Sequence, residues 1–281
     1  MSGKYPPGMI KKSLLCWLLL SPIVIAVLFP FAVMISTALK PATEVMIYPP
    51  AWLPSTPRWQ NFVDMWKATD FGSALWNSIF VSVSATIVAL VVAIPAAYAM
   101  ARFRFAGKSV FRQFLLITQM LSPIVLVLGL FRLAAGFGMI DTHGALILAY
   151  AAFNIAFAVW MLQSYFATIP RDLEEAAWLE GAGRWRAAIV VFLPLATPAM
   201  AVTAIFTFIN AWNEFVVALT LLRSKEGFTL PIQVFGLVGG RYTVEWDQVM
   251  AATLVATLPV SILFAWLQRF LVRGLALGAV K

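Results

Sequence analysis

Charged residues divide the chain into long apolar runs. Six stretches carry no charge: 14–39, 71–101, 113–131, 142–170, 187–213 and 248–268. Each is long enough to cross a bilayer as a helix, because about 20 apolar residues span the hydrocarbon core. The pattern predicts an all-α, polytopic membrane protein with six transmembrane helices, at about 14–37, 73–100, 111–131, 144–166, 189–219 and 248–270. Little sequence remains between them, so a single transmembrane domain over 1–281 is expected, with no room for a soluble catalytic domain. Lys4, Lys11 and Lys12 ahead of the first run resemble a signal peptide in charge order. The apolar core is longer than the usual h-region of about 7–15 residues, and no small-x-small cleavage pattern closes it. The first run is therefore expected to be an uncleaved spanning helix.

Composition narrows the class further. Hydrophobic residues make up 62% of the chain and charged ones 11%, against roughly 45–50% and about 25% in soluble domains. A single cysteine, Cys16, and a single histidine, His143, exclude a disulfide framework and a Cys/His metal cluster. The net charge of +8 sits at the ends of the apolar runs rather than in one patch. That fits membrane topology and not nucleic acid. With six spans, both termini share a side. If that side is the inside, the outer segments hold Lys40, Arg58, Lys67, Arg132, Arg223, Lys225 and Arg241, and the inner ones the remaining 13 of the 20 basic residues. Both termini are accordingly expected in the cytoplasm. The longest outer loop, 40–70, is proline-rich and then aromatic, with Trp52, Trp59 and Trp66 suited to the headgroup layer.

One inner segment, 170–194, differs from a linker. It opens with Pro170, carries Asp172, Glu174 and Glu175 next, and reaches Gly181 and Gly183. Proline at a helix start, acids facing its dipole and glycine at its end predict a short surface helix, sharply stopped. Ala176, Ala177 and Leu179 give it a small apolar face, and Trp178 and Trp185 add large contact surfaces of the kind favoured at interfaces. Such a helix either lies on lipid or docks on another protein. A membrane-surface helix normally carries a basic polar face; this one is acidic, which favours docking.

Glu175-Ala176-Ala177, Gly181 four residues after Ala177, and Leu193-Pro194 resemble the EAA loop of ATP-binding-cassette (ABC) importer permeases, with Val191 where the pattern has isoleucine. Asn77-Ser78, Trp212-Asn213-Glu214-Phe215 and the C-terminal stretch from Gly274 to Lys281 are similar to the carbohydrate-uptake branch, specifically its maltose-G-type membrane subunits. The likeness runs essentially end to end. It implies the ABC type I importer permease fold, in a bacterial or archaeal plasma (inner) membrane. It also implies a second homologous permease subunit, two ATP-binding subunits and an external solute-binding protein as partners. ATP and Mg would then sit on the ATPase subunits, with no cofactor or metal on this chain. In the resembling family the EAA helix is the coupling helix, which by motif position assigns ATPase contact to Glu175, Ala176, Ala177 and Gly181. The family's C-terminal tail also reaches the ATPase dimer, giving Ala279 and Lys281 the same role unless the tail is a frayed end.

No nucleotide site is visible in the chain itself. Gly107-Lys108-Ser109 ends like a P-loop, but that pattern needs glycine where Arg102 stands, and no strand precedes it. HExxH, GxSxG and paired-carboxylate sites are not seen either. The chain is expected to be a transport subunit rather than an enzyme.

Polar groups inside a span are costly unless they face protein or water, so they mark candidate pathway positions. Thr203, Thr207, Asn210 and Glu214 recur at i, i+4, i+7 and i+11 and share one helix face. Asn210, Asn213 and Glu214 are candidate pathway residues; alternatively, Asn213 and Glu214 cap or brace the end of the span. Ser78, Ser82 and Thr86, at i, i+4 and i+8, read as a packing seam. Gln119, between Thr118 and Ser122, is a further pathway candidate. His143 reads as a local cap rather than a proton relay. In the outer loop 223–247, Gly239-Gly240 precede Arg241 and Tyr242. By resemblance those two are candidates for contact with the binding protein; the alternative is an ordinary flexible loop.

The reading that emerges is the membrane-spanning permease subunit of an ATP-driven, binding-protein-dependent importer of a sugar or sugar-like solute, working by alternating access. Its rival is an ion- or proton-coupled secondary transporter acting alone, with Glu214 as coupling carboxylate. One intramembrane acid is sparse for that role, and no inverted repeat with matching broken helices is evident. A membrane-embedded enzyme is disfavoured by the lack of convergent catalytic residues.

Overall fold

The computed structural model describes residues 7–239 and 244–278, and their regular elements are all helical. In chain order these are α1 (Pro7–Ala38), α2 (Ala42–Val45), α3 (Gln60–Ala68), α4 (Phe71–Arg102), α5 (Lys108–Met120), α6 (Pro123–Gly136) and α7 (His143–Phe166). There follow α8 (Asp172–Leu179), α9 (Arg184–Ala187), a π-helical turn (Ala188–Phe192), α10 (Leu193–Trp212), α11 (Val216–Leu221), a 3-10 turn (Lys225–Gly227), α12 (Leu230–Val238) and α13 (Trp246–Gly278). Among the described residues, five helices are long and apolar enough to cross a membrane: Leu15–Ala38, Phe71–Arg102, His143–Phe166, Arg184–Trp212 and Trp246–Trp266. The pair α5 and α6 makes a sixth when taken as one bent span. The architecture is thus the all-α, polytopic one that the apolar runs imply.

Two of the runs are not single straight helices. The run at 111–131 is divided between α5 and α6, which are bent by 96° at the break. Pro123 accounts for this: it removes a backbone donor and keeps the preceding Ser122 extended, at φ −68° and ψ 134°. The run at 189–219 stops at Trp212 and resumes as α11 at Val216. At its other end, Pro194 has no N–H for the carbonyl four residues back, and the turn ahead of α10 widens into the π-helix.

The chain up to Thr69, together with Gly236–Val255, forms one compact unit. Within it the membrane-length window of α1 is unburied, so its apolar side chains are left to lipid or to another chain. A helix end leaves its last carbonyls without partners, and residues 58–61 supply them here. The Arg58 N–H donates to Leu39 O at 2.8 Å, and the buried Asn61 amide donates to Ala38 O at 2.9 Å and Lys40 O at 2.8 Å. Ser36 Oγ and Lys40 Nζ donate to the carbonyls of Trp52 and Ala51, each at 2.5 Å. Polar bonds therefore hold much of the proline-rich stretch, and most of the aromatic stretch after it forms α3.

Asp70–Phe235 and Ala256–Lys281 make up the second unit, built chiefly on α4, α7 and α10. Alanines occupy many buried positions of α4 and α7, including Ala85, Ala89, Ala93, Ala149 and Ala158. Small residues let membrane helices approach closely. Ser78, Ser82 and Thr86 are buried in α4, with Thr86 Oγ donating back to Ser82 O at 2.7 Å, in keeping with a packing seam. One apolar cluster gathers Leu146, Tyr150, Val217 and Leu221; a second gathers Met100, Leu162, Phe166 and Phe192. Phe192 meets Phe166 and Tyr98 edge-on, with ring centres 4.9 and 5.0 Å apart.

Candidate functional site

The acids of the first turn of α8, Asp172, Glu174 and Glu175, lie near the positive end of its dipole. The helix stops in a Schellman motif: Ala182 N–H donates to Ala177 O at 2.9 Å and Gly181 N–H to Trp178 O at 3.0 Å. Gly181 has φ +88°, and an added Cβ would meet nothing within 4 Å. Backbone conformation, not crowding, selects glycine there.

Glu174 and Glu175 differ in what they face. Glu174 is 3% exposed, and its carboxylate accepts from Arg102 Nε at 2.5 Å and from the Tyr98 hydroxyl at 2.7 Å. The Arg102 guanidinium lies 4.8 Å from the centre of the Phe192 ring, and Arg171 Nη2 donates to the Arg102 carbonyl at 3.3 Å. Glu175 and Ala176 are exposed and Ala177 is half-buried. Leu173, Ala176 and Leu179 form an uncovered face opposite Glu174, with Trp185 also exposed. Motif position singles out Glu175 and passes over Glu174. The signal that distinguishes them is a partner 72 residues away.

A polar cleft of about 260 Å³ opens where the α5–α6 break meets α7 and α10. Gln119, Tyr150, Asn154, Asn210 and Glu214 line it beside Phe153 and Phe157. Glu214 sits in the α10–α11 break. Its Oε1 accepts from Val217 N–H at 2.9 Å, and its Oε2 from Ala218 N–H at 3.2 Å and the Tyr150 hydroxyl at 2.8 Å. The carboxylate thus caps α11 and borders the cleft at once. Asn210 Nδ2 donates to Asn154 Oδ1 at 3.1 Å, and Asn154 Nδ2 to Tyr150 O at 2.9 Å. Asn154 is not among the expected residues; the available signal is an amide in the middle of an apolar run. Asn213 is exposed and lies outside the lining, while Thr203 and Thr207 are buried in the helix packing. The polar face drawn by spacing therefore reaches the cleft only at Asn210 and Glu214. Arg241, Tyr242, Ala279 and Lys281 lie outside the described residues.

The segment after α11 is fastened to the start of α4 and the turn before α7. Asp141 Oδ1 accepts from the Arg223 and Ser224 N–H groups at 2.8 and 3.0 Å, and Oδ2 from Ser224 Oγ at 2.6 Å. Those bonds, the Ser224 hydroxyl foremost, lower the Asp141 pKa to about 2. Asn77 Nδ2 donates to the carbonyls of Glu226 and Phe228 at 2.7 and 3.1 Å, and Ser78 Oγ accepts from Leu230 N–H at 2.6 Å. Thr142, rather than His143, caps α7, its hydroxyl accepting from Ala145 N–H at 3.3 Å. His143 instead places Nε2 2.9 Å from Gly227 O, because the first helical residue points its side chain across to the 3-10 turn.

A bundle of apolar helices with a polar cleft and a short exposed helix between two spans has the build of a multi-pass membrane permease. Residues 89–277 match the family of binding-protein-dependent transport system inner membrane components, and the chain belongs to that family. It is 36% identical over 259 residues to the inner membrane ABC transporter permease protein YcjP of Escherichia coli, covering 92% of each chain. It is 35% identical over 267 residues to the trehalose transport system permease protein SugB of Mycobacterium tuberculosis, covering 94% of this chain and 97% of SugB. In fold it is similar to a chain of a crystallised bacterial ABC transporter involved in the import of the acidic polysaccharide alginate. That match has a TM-score of 0.75 and 23% identity, over 95% of this chain and 99% of the other. This chain is a multi-pass inner-membrane permease subunit of a binding-protein-dependent transport system.

Proposed function

We propose that the chain forms the translocation path of an ATP-driven importer of a sugar or sugar-like solute, in company with a second, homologous permease. The observation that carries the solute class is the cleft. Its amides and hydroxyls and the Glu214 carboxylate stand beside aromatic rings, with no basic side chain in the lining, a surface suited to hydroxyl-rich molecules that carry no negative charge. The similarity to SugB, named for trehalose transport, supports the same class.

In this reading the whole chain acts as one permease domain with both termini in the cytoplasm. The uncovered face of α8, with Glu175, Ala176, Ala177 and Gly181, seats on one of two ATP-binding subunits, where ATP and Mg are held and hydrolysed. The tail through Ala279 and Lys281 meets the same subunits, and Arg241 and Tyr242 meet the external binding protein. Gln119, Asn210, Asn213 and Glu214 border the solute path, and alternating access follows from closure and separation of the ATPase pair. Proton coupling through Glu214 has less support, since its two oxygens already serve three donors as a brace.

Reconstitution into vesicles with the second permease, the ATPase subunits and the binding protein tests this reading. Sugar uptake that requires internal ATP and external binding protein is the expected result. Accumulation by the chain alone, indifferent to ATP, would overturn it.

A further inference from the structure

Among the described residues, the side-chain hydrogen bonds that join α8 itself to a spanning helix are the two made by Glu174, to Arg102 and Tyr98 of α4. The rest of α8's first turn is exposed. Arg102 is the last residue of α4, where a cation suits the helix dipole, and Glu174 lies in the first turn of α8, where an anion does. Stability alone does not call for this arrangement, because apolar residues of similar volume commonly hold a buried contact as well as an ion pair does. The network is also one bond short: Arg102 Nη2 is buried without a hydrogen-bond partner. What a charge-assisted bond adds is direction, fixing the relative orientation of two elements. At its other end α4 carries Asn77 and Ser78, which hold the segment after α11. One helix of 32 residues, about 48 Å long at about 1.5 Å per residue, therefore links the α8 end of the bundle to that segment.

We propose that Glu174 is a positioning residue for energy coupling: bonded to Arg102 and Tyr98, it makes α8 and α4 move as one body, so that displacement of α8 is delivered along α4. The proposal rests on the reading of α8 as the ATPase-docking helix. Glu174 is not a contact for the ATPase, being turned away from the exposed face; it sets how far that contact is felt.

The test uses the complete transporter in vesicles and two variants. Glu174→Gln keeps the shape and removes the charge; Tyr98→Phe keeps the ring on Phe192 and removes one hydrogen bond. A Leu179→Cys crosslink to the ATPase subunit, made in each background, reports docking independently of transport. With the crosslink retained, binding-protein-stimulated uptake per ATP hydrolysed should fall by roughly fivefold or more in Glu174→Gln, the lower end of ordinary coupling between sites. Tyr98→Phe should fall between Glu174→Gln and the unaltered protein, and hydrolysis without binding protein should be unchanged in both. Unaltered coupling in both variants would overturn the proposal. So would loss of the crosslink together with transport in both, which would reduce Glu174 to a support for α8. Failure of the crosslink in the otherwise unaltered chain would instead remove the docking role of α8, on which the proposal stands.

Discussion

The hydroxyl of Tyr150 donates to the carboxylate of Glu214 across 2.8 Å, joining α7 to the break between α10 and α11. The first N–H groups of a helix have no partner within it. Here an acid on the border of a polar cleft supplies two of the partners α11 lacks, and the tyrosine holds that acid in place. Bordering the cleft and bracing the span are therefore two aspects of one geometry. A change at Glu214 should be felt in both stability and solute affinity.

Glu214→Gln separates this picture from proton coupling. Glutamine keeps the shape, but one of its two terminal atoms becomes a donor and cannot accept from α11 or from Tyr150. Stability should fall by roughly 1–3 kcal/mol, the range for a buried group left unsatisfied. Uptake should survive at reduced affinity with its ATP dependence intact. The measurement is uptake into vesicles holding all subunits, with internal ATP and the proton gradient varied separately. Uptake that collapses with a protonophore at constant ATP, and is lost in the glutamine variant, would make Glu214 the coupling group.

Asp141 gives a pH dependence whose sign is determined. Its pKa lies at about 2 against an ordinary 3.8, because Ser224 Oγ and the N–H groups of Arg223 and Ser224 donate to the charged form. Its contribution is fully present above the ordinary value and is lost as pH falls toward 2. Protection of the Arg223 and Ser224 amides from hydrogen exchange should thus be flat between about pH 5 and 8 and decline only in stronger acid. Asp141→Asn should lower that protection already at neutral pH. Equal protection in the variant would mean that the segment is held by Asn77, Ser78 and His143 without it.

Much of the frame was legible because it follows from one-dimensional rules. Long uncharged runs mark helices long and apolar enough to cross a membrane, and Pro170 and Gly181 bracket a helix that the structure contains. What escaped depends on partners distant in sequence. Nothing local separates Glu174 from Glu175; a step of about 100° around the helix turns one inward, and Arg102 receives it. The break at Asn213–Phe215 is also hidden, since no proline or glycine marks it, and Glu214 makes it tenable by capping α11. Spacing alone does not separate Thr203 and Thr207 from Asn210: the three share a face, yet the two threonines are covered by packed helices and lie outside the cleft lining.

Asn61 should be more sensitive than an amide beside a proline-rich loop would suggest. It is 1% exposed, and its Nδ2 serves two carbonyls at the end of α1. Asn61→Leu fills similar space while leaving both acceptors unpaired, and should cost roughly 1–3 kcal/mol. Asn61→Asp should be worse, since a carboxylate offers those carbonyls only further acceptors. Thermal unfolding of the purified permease in detergent gives the order: unaltered, then Leu, then Asp. A leucine variant as stable as the parent would show that water serves the end of α1 equally well.

Gly181 allows the two roles of a helix-ending glycine to be told apart by rank order. At φ +88° a non-glycine residue is strained by about 1–2 kcal/mol, and asparagine adopts this conformation more readily than alanine. If Gly181 only stops α8, Gly181→Asn should transport better than Gly181→Ala, because the added Cβ meets nothing within 4 Å beyond its own chain neighbours. If the surface at Gly181 seats on an ATPase subunit, the order reverses: alanine intrudes least, asparagine more, and Gly181→Asp adds a charge beside Glu180. The docking role of α8 predicts the second order, with Gly181→Asp inserted in the membrane but uncoupled or stripped of ATPase subunits. ATP-driven uptake and co-purification of the ATPase, measured for all three variants, decide between the orders. Full transport by Gly181→Asp would leave Gly181 as a helix stop and nothing more.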